Sequence, residues 1–444
     1  MPPEARAAAP LLGLGVDLGS SGLRIALVEA PADCTGNRTE DHTAPLWQAA
    51  SPYPGAFESP LSWREGLITL CQQMPVELRA RVGAIAIDGT SGTLLLCHPD
   101  GSLLPGPLAQ ALPYHQACPE QQDQAIRISS TGPNPASAAA ASASSSLARA
   151  LRLLALAPAA PLLLRHQADW LLGWLLGDWR WGEATNNLKL GWLQSTGSWA
   201  GSIAQQPWSP ALPQVIECGS VAGVLHHDSA SALALPQGCQ VVAGCTDASA
   251  GMLAAAAAPG DGVATLGTTL ALKQWVDGPI NAPGISCQRL QGCWLVGGAS
   301  NAGGGVLRRF FDDDLLAVLS RQITVERPSG LVLRPLPGIG ERFPVDDPLL
   351  EPILEPRPVS DALYLQGLLE GLVAIEVAGW QRLQQLGAAP LQRVISLGGG
   401  ARNPQWRALR QRALGVPVLN RPQLNAATGM AKLAAQALQA PPHG

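Results

Sequence analysis

Two stretches of this chain, roughly 250 residues apart, repeat one design: "GLGVDLGSSGLRIALVEA" from Gly13 and "GDGVATLGTTLALKQWVDG" from Gly260. Each reads as an apolar strand, a turn of one glycine and two small hydroxyl residues, and a second apolar strand. Glycine gives such a turn its backbone freedom, and the apolar runs on either side fit buried strands. A design that occurs twice predicts two related domains, each built around its own hairpin. Chance recurrence of glycine-turned hairpins is the alternative.

The remaining pattern fits that division. Strand-like runs bounded by glycine include Leu12–Val16, Leu23–Glu29, Gly83–Ile87, Gly92–Cys97, Gln240–Val242, Ala264–Leu266, Leu270–Gln274, Cys293–Val296 and Arg393–Leu397. Helical periodicity covers Gln167–Leu176, Ala362–Leu386 and Asn403–Leu414, and an Ala/Ser-rich stretch turns helical from about Ser144. Strands that alternate with long helices make the class α/β. With 444 residues, 47% of them hydrophobic and 14% charged, the chain has room for two cores. The first ten residues and the tail "APPHG" read as disordered.

Charge and cysteine usage exclude several classes. A net charge of -4 argues against nucleic-acid or anionic-membrane partners. Nine cysteines without a CxxC pair read as reduced thiols of a cytoplasmic protein rather than a zinc or thioredoxin-like site. The first residues, "MPPEARAAAP", have no apolar core of a signal peptide, and Pro158 and Pro161 break the longest apolar tract.

Chemistry concentrates where apolar strands end in a carboxylate and a glycine. In the first hairpin Asp17 interrupts a buried strand, Gly19 frees the backbone amides, and Ser20 and Ser21 add hydroxyls. Such a turn suits phosphate, and a carboxylate among those donors suits Mg²⁺, which takes carboxylate, water and phosphate oxygens. An aspartate that caps its own turn is the alternative. Asp88 ends the strand of "AIAIDGTSGTLLLC" and could meet a phosphate or a sugar hydroxyl. In "VVAGCTDASAGMLAAAA", Asp247 opens a helix directly after a strand, where it could accept a hydroxyl proton, cap the helix, or do both. In "VISLGGGARNPQW" three glycines precede Asn403; bare backbone admits a flat ring, and a carboxamide can meet adenine edges. Gly13 and Gly15 begin a GxGxxG, but Leu18 stands at the third glycine and a second strand follows instead of a helix; GK[ST] is absent.

Asp-x-Gly-Ser-Ser-x-x-Arg, Gly-x-x-Asp, Gly-Thr-Thr and Gly-Gly-Gly-Ala-x-Asn, in this order from about Gly13 to Ala435, resemble the FGGY carbohydrate kinases of the sugar kinase, Hsp70 and actin superfamily. "AIAIDGTSGTLLLC", "NNLKLGW", "GGASNAGG" and "EPRP" most resemble the short cyanobacterial and plant-plastid D-ribulose kinases described as xylulose-kinase-like. The resemblance implies two ribonuclease-H-like domains around a cleft: a sugar-binding domain over 11–253 with a returning helix at 425–441, and a nucleotide-binding domain over 254–424. It implies ATP and Mg²⁺ as cofactors and a small sugar as partner. Asp17 would orient the metal; Ser20 and Ser21 would approach phosphate and sugar. Asp88 would bind sugar hydroxyls, and Asp247 would act as general base. Gly267 and Thr268 would hold phosphate, and Gly399, Gly400 and Asn403 the adenosine.

Three departures bear on the substrate. The family's frequent Trp-x-Asp-x-Arg sugar stretch reads "ALPYHQAC" here, with His115 and no arginine, which disfavours glycerol. Asn425 stands where glutamate is frequent, and Ser20 replaces a frequent threonine. No large basic side chain is evident in the motifs, so backbone amides and metal are expected to neutralise the phosphates. The expected activity is ATP-dependent phosphorylation of the terminal hydroxyl of a ketopentose, D-ribulose first. D-xylulose kinase and a catalytically idle sugar or nucleotide sensor are the alternatives.

Overall fold

The structure is a computed structural model that describes residues 9–30, 44–131, 136 and 138–439. Of the ends expected to be disordered, residues 1–8 and 440–444 lie outside the described residues, as does Cys34. The chain divides into two compact units, Met1–Ala254 with Ala426–Gly444, and Ala255–Asn425.

Unit 1 is organised by a six-stranded sheet. Its strands are β1 (Leu12–Gly19), β2 (Gly22–Glu29), β3 (Trp47–Ser51), β4 (Val82–Gly89), β5 (Val221–Val224) and β6 (Gln240–Val242), in the order β5-β6-β4-β1-β2-β3. β1 pairs antiparallel with β2 and parallel with β4. Its side chains alternate. Leu12, Leu14, Val16 and Leu18 enter a core with Trp63, Leu67 and Leu70 of helix α1 (Pro60–Gln72). Gly13, Gly15 and Asp17 fall on the other face.

That alternation explains the two leading glycines. A methyl on Gly13 would lie 2.3 Å from the Ala431 carbonyl oxygen, and one on Gly15 2.0 Å from that of Ala427. Both carbonyls belong to the last helix of the chain, Ala426–Ala437, which returns to lie on β1. The glycines let a small-residue helix approach a central strand, an approach that any larger residue would block.

Unit 1 also contains helices α2 (Ser146–Leu156), α3 (Gln167–Leu176) and α4 (Asp247–Ala255). Ser145 caps α2 by accepting from the Ala148 amide. α1, β3 and, in unit 2, the strand Ile285–Leu290 are elements beyond those expected from periodicity.

Unit 2 repeats the plan with β7 (Asp261–Leu266), β8 (Leu270–Val276), β9 (Ile285–Leu290), β10 (Cys293–Ala299), β11 (Arg393–Leu397) and β12 (Val418–Asn420), in the order β9-β10-β8-β7-β11-β12. β7 is antiparallel to β8 and parallel to β11, as β1 is to β2 and β4. Helix α5 (Asp361–Gln385) is long and apolar enough by length and composition to cross a membrane, but 61% of its most apolar window is buried inside the fold. Tyr364, Leu368, Leu372 and Trp380 carry that burial into the unit 2 core. α6 (Pro404–Leu414) follows, and the returning helix Ala426–Ala437 is α7.

Candidate active site

Parallel pairing of β1 with β4 sets Asp17 directly beside Asp88. Both are buried, Asp88 completely. Neither Asp88 oxygen has a hydrogen-bond donor among the described residues. The Asp17 carboxyl lies within reach, and two carboxyls can share a hydrogen bond only when one of them carries a proton. Burial above all, and then the charges of Asp17, Cys245 and Asp247, push the Asp88 carboxyl well above the usual range.

Antiparallel pairing of β1 with β2 puts Arg24 opposite Asp17, and its Nη1 donates to Asp17 Oδ2 at 2.9 Å. This corrects the expectation that the motifs hold no large basic group. The arginine of Asp-x-Gly-Ser-Ser-x-x-Arg stands at the site because a two-residue turn brings positions 17 and 24 into register. Ser20 and Ser21 form that turn, both exposed.

The carboxyl of Asp247 stands at the first residue of α4, half-buried, with Oδ1 accepting from the Ala248 amide at 2.7 Å. A parallel bridge between Gly89 and Thr246 ties this junction to the end of β4. Close approach requires Gly244 here, since a methyl on it would lie 1.9 Å from the Ile87 carbonyl oxygen. Unit 1 therefore gathers Asp17, Asp88 and Asp247 around the ends of adjacent strands, and Asp88 feels the charge of the other two.

The turn after Asp88 is held from below. Gln167, at the start of α3, accepts from the Thr90 amide at 3.1 Å and the Thr90 hydroxyl at 2.8 Å. Thr93 accepts from the Tyr114 amide, which anchors the "ALPYHQAC" segment. Arg149 of α2, which motif reading could not find, is fully buried beneath that segment. It donates to the carbonyls of Pro113 (3.0 Å), Gln116 (3.1 Å), Gly92 (3.2 Å), Ser144 (2.9 Å) and Tyr114. Its fork thus serves the backbone instead of a ligand carboxylate. Burial lowers it to about 10.

Unit 2 presents glycine where unit 1 presents acid. Gly267 follows β7 and Gly398 follows β11, adjacent parallel strands in which Thr265 pairs with Leu397. The Gly267 and Thr268 carbonyls accept from the Gly304 and Gly305 amides at 2.8 and 3.1 Å, so the run Gly303–Gly305 backs this turn. Thr268 is exposed. The three glycines of the second turn differ. Gly398 adopts φ +84°, Gly399 faces open space, and a methyl on Gly400 would lie 2.5 Å from the Trp406 ring. Gly400 thus serves packing. Asn403 caps α6, with Oδ1 accepting from the Trp406 amide at 3.0 Å and Nδ2 donating to Ser320 Oγ at 2.8 Å. The carboxamide oxygen thus serves the helix cap, and one of the two amide hydrogens goes to Ser320.

Among the described residues, no group of three or more His, Cys, Asp or Glu side chains is arranged to hold a metal by itself. Asp17 and Asp88 together supply two carboxylates. That donor set suits Mg²⁺, which keeps several waters and takes one or two carboxylates with substrate phosphates.

Residues 262–438 match the FGGY family of carbohydrate kinases, C-terminal domain, a match that runs through α7. The fold is similar to that of glycerol kinase from Plasmodium falciparum, solved with ADP, at a TM-score of 0.77 and 13% identity over 97% of this chain and 90% of that one. It is similar to xylulose kinase from Rhodospirillum rubrum at a TM-score of 0.76 and 19% identity over 95% and 89%. Gluconate kinase from Lactobacillus acidophilus gives a TM-score of 0.75 at 16% identity over 97% and 90%. These identities speak to the fold, which is that of the sugar kinases, and residues 262–438 match the C-terminal domain of the FGGY carbohydrate kinases.

Proposed function

We propose that the chain transfers the γ-phosphoryl group of ATP to the terminal hydroxyl of a ketopentose, D-ribulose yielding D-ribulose 5-phosphate. The observation that carries this reading is the Asp88 carboxyl, fully buried, without a donor among the described residues, and close enough to Asp17 and Asp247 to feel their charge. A buried acceptor left unmet costs about 1–3 kcal/mol, which a ligand rich in hydroxyl donors would relieve. Asp88 then reads the sugar hydroxyls, with Ser21 at the turn beside them. Arg149 spends its donors on carbonyls, so the neighbourhood offers it to no anionic sugar.

Asp247 accepts the proton of the attacking hydroxyl as the oxygen bonds to phosphorus and ADP departs. Asp17, steadied by Arg24, would hold Mg²⁺, and the ion would neutralise phosphate charge. Ser20 and Ser21 lie toward the transferred group. In unit 2, Gly267 and Thr268 cradle phosphate through backbone, and Gly399, Gly400 and Asn403 border the adenosine.

D-xylulose is the second reading, supported by the xylulose kinases among the solved proteins of this fold. An ADP-release assay with D-ribulose, D-xylulose, glycerol and gluconate decides between them. D-ribulose is expected to give the highest kcat/KM, because a site that pairs specific hydroxyls rejects the epimer that leaves a polar group unmet. Equal values for the two epimers would remove the D-ribulose assignment, and ADP release stimulated by no ketopentose would remove the pentulose reading.

A further inference from the structure

A second polar system lies inside unit 1, away from the three aspartates at one end and touching them at the other. Ser146 Oγ is 2.9 Å from His166 Nε2, and His166 Nδ1 is 3.3 Å from Asp169 Oδ2. The order is that of a nucleophile triad, yet each member is no more than 1% exposed, so no substrate reaches the serine. The chain continues instead of ending in a pocket. Asp169 accepts from the Glu183 amide at 2.9 Å and from Asn187 Nδ2 at 3.2 Å. The Glu183 carboxylate accepts from the Thr185 amide (2.8 Å), the Asn186 amide (3.0 Å) and the Thr185 hydroxyl (2.7 Å). Thr185 Oγ1 in turn accepts from the Thr246 amide at 3.0 Å.

We infer that Thr185 is a positioning residue for Asp247, an inference that rests on Asp247 being the general base. The hydroxyl has one hydrogen, which it gives to Glu183, and its oxygen then faces the Thr246 N–H in a fixed direction. Thr246 caps α4: its carbonyl accepts from the Ser249 and Ala250 amides at 2.8 and 3.1 Å, and its hydroxyl lies 3.0 Å from that of Ser249. Asp247 is the next residue. A peptide held at Thr246 therefore sets where the helix starts and where the Asp247 carboxyl stands. From the opposite side Gly244 packs on the Ile87 carbonyl, so the junction is clamped between β4 and Thr185. Catalytic geometry tolerates little looseness of this kind.

Thr185→Val keeps the shape and removes the hydroxyl, leaving the Thr246 amide unmet while Glu183 keeps the amide donors of positions 185 and 186. Steady-state kinetics of the full chain should show kcat lowered roughly tenfold, with KM for sugar and for ATP within about threefold of the parent. Thr185→Ser, which retains the hydroxyl, should keep kcat within about twofold. In an Asp247→Asn background, Thr185→Val should add no further loss, the signature of acting through that carboxylate. Unchanged kcat in folded Thr185→Val, a further tenfold loss in the Asp247→Asn background, or a tenfold loss in Thr185→Ser would each overturn the inference; the last of these measures it even where the valine variant does not fold. Parental turnover in Asp247→Asn would remove the base assignment and this inference with it, whereas a dead Asp247→Asn beside a fully active Thr185→Val removes the inference alone.

Discussion

The sheets of the two units share a strand plan and differ at the strand ends. In unit 1 the hairpin strand and its parallel neighbour bring Asp17 beside Asp88; the matching pair in unit 2 is Thr265 beside Leu397. Asp17 stands two residues before Gly19, and Thr265 two before Gly267. The hairpin, the glycine and the hydroxyl turn are common to both, while the carboxylates belong to one. Electrostatics gives the reason under the proposed division of labour. A polyphosphate beside a pair of unmetalled carboxylates would be repelled, so a nucleotide cradle works through backbone amides and hydroxyls. A neutral polyol needs acceptors for its hydroxyls, and a reaction that removes a proton needs a carboxylate.

The largest effect expected from this contrast lies at Asp247. Asp247→Asn preserves size and the helix start but removes the proton acceptor, and loss of a general base costs about 10²–10⁴ in rate. Nucleotide affinity, assigned to unit 2, should remain near the parent's in a direct binding titration. Turnover within about threefold of the parent would take the base role from Asp247.

Asp88 tests the acid side through stability. Its carboxyl is raised in the folded chain above the unfolded value of about 3.9, so the native state binds more protons than the unfolded one as pH rises past about 4. The stabilisation present in acid is therefore lost progressively toward higher pH. Asp88→Asn removes that titration and supplies an amide donor to Asp17 at every pH. The variant should gain about 1–3 kcal/mol over the parent at pH 8, less at pH 5, and bind sugar poorly. Denaturant unfolding at the two pH values checks this. A gain that is larger at pH 5 would contradict the sign of the shift.

The glycine side can be split in two. Gly400→Ala drives a methyl into Trp406 and Leu266, and such overpacking costs about 1–3 kcal/mol. Gly399→Ala enters open space and should leave Tm unchanged while raising KM for ATP. A Gly399 variant with parental ATP kinetics would move the adenosine away from this turn.

What could be read from the sequence follows from how local each feature is. Hairpins, strand-ending aspartates and the long helices are written in contiguous pattern, and they stand where periodicity puts them. Gly13 and Gly15 look like half a nucleotide fingerprint because their true partners, Ala427 and Ala431, lie at the far end of the chain. α1 hides behind Pro60 and Gly66, which read as breakers; Gly66 is there because a methyl would strike Leu23 Cδ1 at 2.6 Å. Arg149 cannot be found by motif, since a buried arginine that serves five carbonyls has no sequence partner. Asn403 reads by pattern as an adenine contact, but its place just before Pro404 is equally the signature of a helix cap, and the cap and Ser320 use most of its carboxamide.

The smallest effect, and the most direct way to break the comparison, is to give unit 2 the acid it lacks. Thr265 is exposed on β7, so Thr265→Asp removes little packing and places a carboxylate where Asp17 stands in unit 1. Strand propensity alone costs up to about 1 kcal/mol, and Thr265→Asn carries nearly the same cost without the charge. If phosphate lies at Gly267 and Thr268, Thr265→Asp should raise KM for ATP roughly tenfold, from a repulsion of about 1 kcal/mol per pair of charges at surface distances. Added salt should shrink the difference, because exposed charges are screened within about 8 Å at physiological ionic strength. Thr265→Asn should stay within about twofold, and the sugar KM should not move in either variant. Equal changes in the two variants would make the effect one of strand fit. No change in Thr265→Asp would mean that the Gly267 turn holds no phosphate, and the parallel between the two hairpins would then be one of architecture alone.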